Sequence, residues 1–146
     1  MTSLPAESLA DVLVVDDQPE IRRLLRVALA RRCRVIEAVD GPAALDCVRA
    51  SHPRAVLLDI MMPGPLDGLQ VLDALKADPA TRPIKVAMLS ARGQEADLAN
   101  ARQRGADAYF TKPFSPLQVL AWVGQVLSAG DDAADRELPG SLPSLP

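Results

Sequence analysis

Two adjacent acids, Asp16 and Asp17, close the apolar run Val12-Leu13-Val14-Val15, and a third, Asp59, closes the run Ala55-Val56-Leu57-Leu58. A third apolar run ends at Ser90, and a fourth, aromatic one ends at Lys112-Pro113. Three carboxylates brought together repel one another and are driven toward protonation unless a cation offsets their charge. Mg²⁺ suits such a set, because it prefers one or two carboxylates completed by phosphate oxygens and water. Metals that seek imidazole find little here, since the only histidine, His52, falls in a predicted loop. A strand-end carboxylate can also attack phosphorus, a reaction that needs positioning and charge neutralisation more than covalent machinery. It needs no general base, and none is visible.

These side chains converge only if the elements between them allow it. Apolar runs at about 12–15, 35–39, 55–58, 84–89 and 108–111 alternate with stretches of helical periodicity at about 19–31, 42–51, 68–77, 94–104 and 115–127. Continuous β-branched and Leu runs suit strands covered on both faces. Strands alternating with helices imply βαβ units and a parallel sheet wrapped on both sides, with right-handed crossovers. The expected fold is therefore α/β, a doubly wound five-stranded parallel sheet flanked by five helices, flavodoxin-like; its order, 2-1-3-4-5, is not written in the sequence and is taken because it accounts for where the acids are. In that order the crevice where ligands bind lies between the first and third strands, at their carboxyl ends, where the acids sit.

The helices carry further expectations. Ile21, Leu24, Leu25, Ala28 and Leu29 form a core-facing stripe on the first, with Arg22, Arg23 and Arg26 off it. The second is bracketed by Gly41-Pro42 and His52-Pro53. The fourth has Leu98 as its only large apolar side chain and ends at Gly105, so it should dock weakly. The fifth opens on Ser115 as N-cap and Pro116 at the first helical position.

At 146 residues the chain fits one domain with a single core, and 49% hydrophobic with 24% charged residues is ordinary for a globular protein. Residues 1–8 read as a flexible leader, 9–128 as the domain, and 129–146, rich in Pro, Ser and Gly, as a disordered tail or linker. No run approaches the roughly 18 apolar residues of a membrane helix, and no signal peptide is apparent, so the location expected is cytoplasmic. Cys33 and Cys47 lack metal or redox spacing and read as packing residues. The net charge of −3 is concentrated in the tail, while residues 9–127 hold 15 bases and 14 acids. A near-neutral body argues against direct nucleic-acid binding.

Asp16-Asp17, Asp59 with Met62-Pro63-Gly64, Asp67-Gly68, Ser90-Ala91 and Lys112-Pro113-Phe114, in that order, resemble the receiver domain of two-component response regulators over roughly residues 10–128. The resemblance implies that Asp59 accepts a phosphoryl group from a phosphohistidine on a sensor histidine kinase or histidine phosphotransfer protein. It implies Mg²⁺ held directly by Asp17, Asp59 and the backbone carbonyl of Met61, with Asp16 acting through water. Lys112 and Ser90 would bind the phosphoryl oxygens, and Tyr109 would rotate inward behind Ser90. Met61 and Arg92 would border the phosphoryl group and set its lifetime. The signalling face would comprise the fourth helix, fifth strand and fifth helix, where Trp122 is expected to be half exposed.

Each residue also has a plainer explanation. Asp16 alone could be a turn former, Lys112 a solvated lysine, Ser90 an ordinary strand-end hydroxyl, Tyr109 a core aromatic and Trp122 core padding against the fourth helix. Arg22 and Arg26 could meet an acidic kinase surface or simply be solvated. Two departures from the family pattern stand out: Ser90 replaces the commoner Thr, and Met62-Pro63-Gly64-Pro65-Leu66-Asp67-Gly68 is one residue longer than usual, with Pro65 stiffening the loop. An aspartate-nucleophile phosphatase would need an acid where Met61 stands, and a flavodoxin-type cofactor binder a Gly/Ser/Thr-rich loop where Asp16-Asp17-Gln18-Pro19 stands. A receiver that is never phosphorylated is opposed by the complete acid set. A stand-alone phosphoacceptor and the N-terminal receiver of a longer regulator, with an output domain after residue 146, both suit the sequence. Kinase, downstream partner and oligomeric state, a homodimer included, are left open.

Overall fold

A computed structural model describes residues 9–91 and 95–131. Its elements run β1 (Asp11–Val15), α1 (Pro19–Leu29), β2 (Arg34–Ala38), α2 (Gly41–Ser51), β3 (Ala55–Asp59), α3 (Gly68–Ala77), β4 (Lys85–Ser90), α4 (Glu95–Gln103), β5 (Ala108–Thr111) and α5 (Pro116–Asp131). The five strands form one parallel sheet in the order β2-β1-β3-β4-β5. The fold is the expected flavodoxin-like one.

The period-2 alternation of a strand divides the apolar residues between two cores. Leu13, Val15, Val56, Leu58 and Met88 face α2, α3 and α4, whose Val48, Leu72, Leu75 and Ala101 complete that layer. Val12, Val14, Leu57, Ala87 and Leu89 face α1 and α5, through Leu25, Leu29, Val119, Val123 and Leu127. Both faces of β1 and β3 are therefore dry, which is why their sequences read as unbroken apolar runs. Each of the buried Val, Leu and Met side chains contributes roughly 1.5–3 kcal/mol by burial. Register then fixes the site: Val15 lies opposite Leu58, so Asp16 follows β1 at the level where Asp59 ends β3.

Local signals work as the sequence suggests. Asp40 caps α2 by accepting from the Ala43 N–H at 2.9 Å, Asp67 and Gln70 form a capping box on α3, and Ser115 Oγ accepts from the Gln118 N–H at 3.3 Å. Past α4, Gly105 has φ +101°, and the Ala106 and Gly105 N–H groups donate to Ala101 and Arg102 carbonyls at 3.0 and 3.2 Å, a Schellman turn.

Three expectations need correction. Leu24 leaves the core-facing stripe and is 40% exposed, beside Val27 at 72%, because Leu25 and Leu29 centre the buried arc of α1. Helix α1 also ends at Leu29 rather than at 31. Helix α5 continues past 127 to Asp131, into residues expected to begin the tail. Arg54 Nη2 donates to the Val126 and Leu127 carbonyls at 3.2 and 2.9 Å, and Arg32 Nη2 to the Gly124 carbonyl at 3.3 Å and Ser128 Oγ at 3.1 Å. Cations placed at a helix's carbonyl end support its last turns; they come from loops distant in sequence, so local composition could not reveal them. The leader at 1–8 and the remaining tail at 132–146 lie outside the described residues. Among the described residues no helix is long and apolar enough to cross a membrane.

Candidate functional site

The carboxyl ends of β1 and β3 bring Asp16, Asp17 and Asp59 together, with one oxygen of each lying within 4.8 Å of the others. Asp16 is completely buried, Asp59 is 5% exposed, and Asp17 is open to solvent. Lys112, just past β5, reaches into this group: its Nζ lies 2.9 Å from Asp16 Oδ2 and 3.6 Å from Asp59 Oδ2. Its backbone N–H donates to the Ser90 carbonyl at 2.7 Å, extending the β4–β5 ladder by one step, and a cis peptide bond to Pro113 follows.

Electrostatics divide the acids. Burial pushes the Asp59 carboxyl up to about 6, and the charge of Asp16 adds to the shift. Lys112 and the Met61 backbone N–H pull it down, and Asp17 pushes it up again. Asp16 Oδ1 accepts from the Gln18 N–H at 2.9 Å, but its buried Oδ2 has no hydrogen bond. The Lys112 amine faces that oxygen at ion-pair distance without hydrogen-bond geometry. An orphaned carboxylate oxygen inside a set of hard oxygen donors matches what a small divalent cation requires. Asp59 accordingly has the two properties a phosphorus-directed nucleophile needs: a fixed position at a strand end and neighbouring positive charge.

The loop after Asp59 absorbs its extra residue without disturbing the strand. Asp59 stays opposite Leu89, and the Ile60 N–H donates to the Leu89 carbonyl at 2.9 Å. Gly64 takes φ +97°, a conformation that favours glycine, and the chain returns to Asp67 as the α3 cap.

A response regulator receiver domain profile matches residues 12–123. The chain belongs to this family. Receiver domains take phosphoryl groups from histidine kinases in two-component signalling. The phosphate regulon transcriptional regulatory protein PhoB of Escherichia coli K12 is 38% identical over 117 residues, covering 80% of this receiver chain and 51% of PhoB. The transcriptional regulatory protein ResD of Bacillus subtilis is 40% identical over 117 residues, covering 80% and 47%. This chain spans about half the length of the curated relatives it matches. Among solved structures, the receiver domain of NtrX from Brucella abortus superposes with TM-score 0.75 at 33% identity, over 81% of this chain and 98% of that one. A response regulator from Chloroflexus aurantiacus gives 0.76 at 27% identity, over 82% and 98%.

The remaining predicted residues of this receiver fall as follows. Ser90 ends β4, fully buried, with its hydroxyl 3.4 Å from Thr111 Oγ1. Tyr109 is half-buried; its hydroxyl donates to the Ala106 carbonyl at 3.4 Å, and the Arg102 guanidinium of α4 sits 5.2 Å from its ring centroid. Met61 is 58% exposed whereas Met62 is buried. Arg92 lies outside the described residues. His52 is exposed in the left-handed cap of α2, away from any acid cluster.

Trp122 is not half exposed. It is 9% exposed, edge-on to Phe110 of β5 at 6.4 Å and 71°. Its ring packs on Phe110 in the core layer beneath α1 and α5, so Trp122 is core padding against β5. Arg22 and Arg26 both pair with Glu37 of β2, at 2.9 and 2.6 Å, and the Arg26 side chain stays half exposed. Two contributors escaped sequence reasoning. Gln18 Oε1 accepts from Lys112 Nζ at 3.2 Å, signalled only by its place directly after the acid pair, and Thr111 meets Ser90 as its parallel-strand neighbour.

Proposed function

We propose that Asp59 is the phosphoacceptor of this receiver. The observation that carries the reading is a buried carboxylate ending β3, facing Asp16 and Asp17, with a lysine amine 3.6 Å away. An ionised Asp59 oxygen attacks the phosphorus of a phosphohistidine; the new O–P bond forms as the P–N bond breaks, and the electron pair returns to the imidazole nitrogen. Asp17, Asp59 and the Met61 carbonyl would hold Mg²⁺, with Asp16 acting through water. Bound there, the ion supplies charge neutralisation for the carboxylates and the incoming phosphoryl oxygens.

Lys112 and Ser90 bind the phosphoryl oxygens once Asp59 is modified. Shifting a two-state equilibrium from 1:99 to 99:1 takes about 5.5 kcal/mol of differential interaction. Charge-assisted hydrogen bonds contribute roughly 1.5–3 kcal/mol each, so two of them produce a large but incomplete shift. Tyr109, on the strand between Ser90's neighbour Thr111 and α4, relays that shift to the face formed by α4, β5 and α5. There Tyr109, Phe110, Gln118, Ala121 and Trp122 line an uncharged groove that suits a protein partner rather than nucleic acid.

The phosphodonor is a cytoplasmic kinase or phosphotransfer protein, and the face that suits it is α1. Leu24 and Val27 are its exposed apolar residues, Arg23 flanks them, and its first residue, Pro19, stands two positions after Asp17. The exposed Met61 side chain, with Arg92, sets water access and hence acyl-phosphate lifetime; unchanged hydrolysis in Met61→Ala and Arg92→Ala would reject that role. The test of the whole reading is incorporation of phosphate from acetyl phosphate with Mg²⁺, compared with Asp59→Asn and with chelator. Equal incorporation in wild type and variant would rule Asp59 out.

A further inference from the structure

The part of the longer loop beyond Met61 has no part in the chemistry above, yet the structure gives it a specific seat. Leu66, near its end, is half-buried against the core containing Val71 and Ala44. It also lies on the first turn of α2, directly over Gly41. A Cβ at position 41 would stand 2.6 Å from Leu66 Cβ, 2.9 Å from the Leu66 carbonyl oxygen and 3.1 Å from Val71 Cγ2. Among the described residues the positive-φ glycines are Gly64 and Gly105, so Gly41 is not held by a backbone angle that other residues avoid. Space alone demands glycine there.

Neither side of this contact yields easily. The first turn of α2 is fixed by Asp40, whose side chain and carbonyl accept from Ala43 and Ala44 N–H at 2.9 and 3.0 Å, and by Ala44 and Val48 in the core. The loop is stiffened by Pro63 and Pro65 and anchored by buried Met62. At its far end Gly68 packs beneath the Asp59–Ile60 main chain, where a Cβ would overlap the Asp59 carbonyl oxygen, and its N–H donates to the Ile60 carbonyl at 2.9 Å.

We propose that Gly41 is a positioning residue for phosphoryl acceptance: the notch it leaves in α2 seats Leu66 and thereby fixes the loop that carries Met61 beside Asp59. The inference rests on Asp59 being the phosphoacceptor. Restoring ordinary contact around a Cβ at position 41 takes Leu66 Cβ from 2.6 Å to 3.4–4 Å, a shift of about 1 Å, and a misplacement of that order in a reacting geometry can slow a step about 10²-fold.

The test compares wild type, Gly41→Ala, Gly41→Ala with Leu66→Ala, Gly41→Ala with Leu66→Gly, and Leu66→Gly alone. Phosphorylation by acetyl phosphate is followed at several Mg²⁺ concentrations, Mg²⁺ affinity by calorimetry, and folding by thermal melting. Gly41→Ala is expected to slow phosphorylation about tenfold or more and to weaken Mg²⁺ binding. Leu66→Ala keeps the offending Cβ and should not rescue; Leu66→Gly removes that 2.6 Å overlap, though not the 2.9 Å approach of the Leu66 carbonyl oxygen, and should recover part of the rate. Leu66→Gly alone empties the notch and should slow the reaction several-fold while the domain stays folded, which keeps the proposal testable if Gly41→Ala does not fold. Rates and affinities within twofold of wild type for Gly41→Ala and for Leu66→Gly overturn it. So does a Gly41→Ala, Leu66→Gly protein slower than its Leu66→Ala counterpart, which would show lost packing rather than relieved overlap. Absence of phosphorylation in wild type instead defeats the reading of Asp59, while the Mg²⁺ titrations still report on the seat.

Discussion

Replacing Asp59 by Asn removes a charge that the fold holds at a disadvantage. The carboxyl is raised from 3.8 to about 6 by burial and by Asp16. Between those values the native state keeps a proton that the unfolded chain has already released. The penalty is therefore absent below the unfolded pKa, grows as pH rises through the interval, and is complete above about 6. Two pKa units correspond to about 3 kcal/mol, so Asp59→Asn should stabilise the metal-free protein by about that much at pH 7.5 and by about half as much at pH 5. For a domain of this size the gain at pH 7.5 is a rise of roughly 10 °C in Tm. Melting both proteins in chelator at the two pH values measures it. Mg²⁺ should then close the gap by stabilising wild type far more than the variant, because only wild type retains the full acid set. Equal stability at pH 7.5, or a gain that does not shrink at pH 5, would refute the electrostatic account of the site.

Three other expectations follow from the same geometry. Lys112→Met takes away the amine that lowers the Asp59 pKa, so a carbon-13 NMR titration should place that carboxyl above its wild-type value of about 6; a lower value contradicts the pairing. Arg102→Ala and Tyr109→Leu should couple by about 0.5–1 kcal/mol in a double-mutant denaturation cycle, reporting the cation–π contact that ties α4 to β5; additive effects would deny it. Leu24→Asp with Val27→Asp, both on exposed positions of α1, should change stability by less than about 0.5 kcal/mol. They should slow phosphotransfer from the kinase about tenfold or more while leaving the acetyl phosphate reaction intact; slowing of both reactions would argue against a docking role.

What the sequence disclosed was set by periodicity and by strand ends. Dry strands such as Val12–Val15 announce themselves, and acids that end them must share a rim once the sheet is parallel. The sequence was silent where the decisive contact comes from a distant segment. Trp122 looked exposed because helical spacing alone does not reveal that Phe110 of β5 lies against it. Arg22 and Arg26 looked free because Glu37 lies on another strand. Helix α5 outran its predicted end because Arg32 and Arg54 support it from two separate loops. Gln18 was passed over because an amide carries no charge to flag it, although it holds the amine of Lys112.

The most direct measurement treats the protein with acetyl phosphate and Mg²⁺, reduces the product with borohydride and locates the reduced residue by peptide mass spectrometry. Asp59 as phosphoacceptor predicts reduction at position 59 alone, dependent on Mg²⁺ and absent from Asp59→Asn. Reduction at Asp16 or Asp17 in the wild-type protein, or at position 59 irrespective of metal, would contradict it.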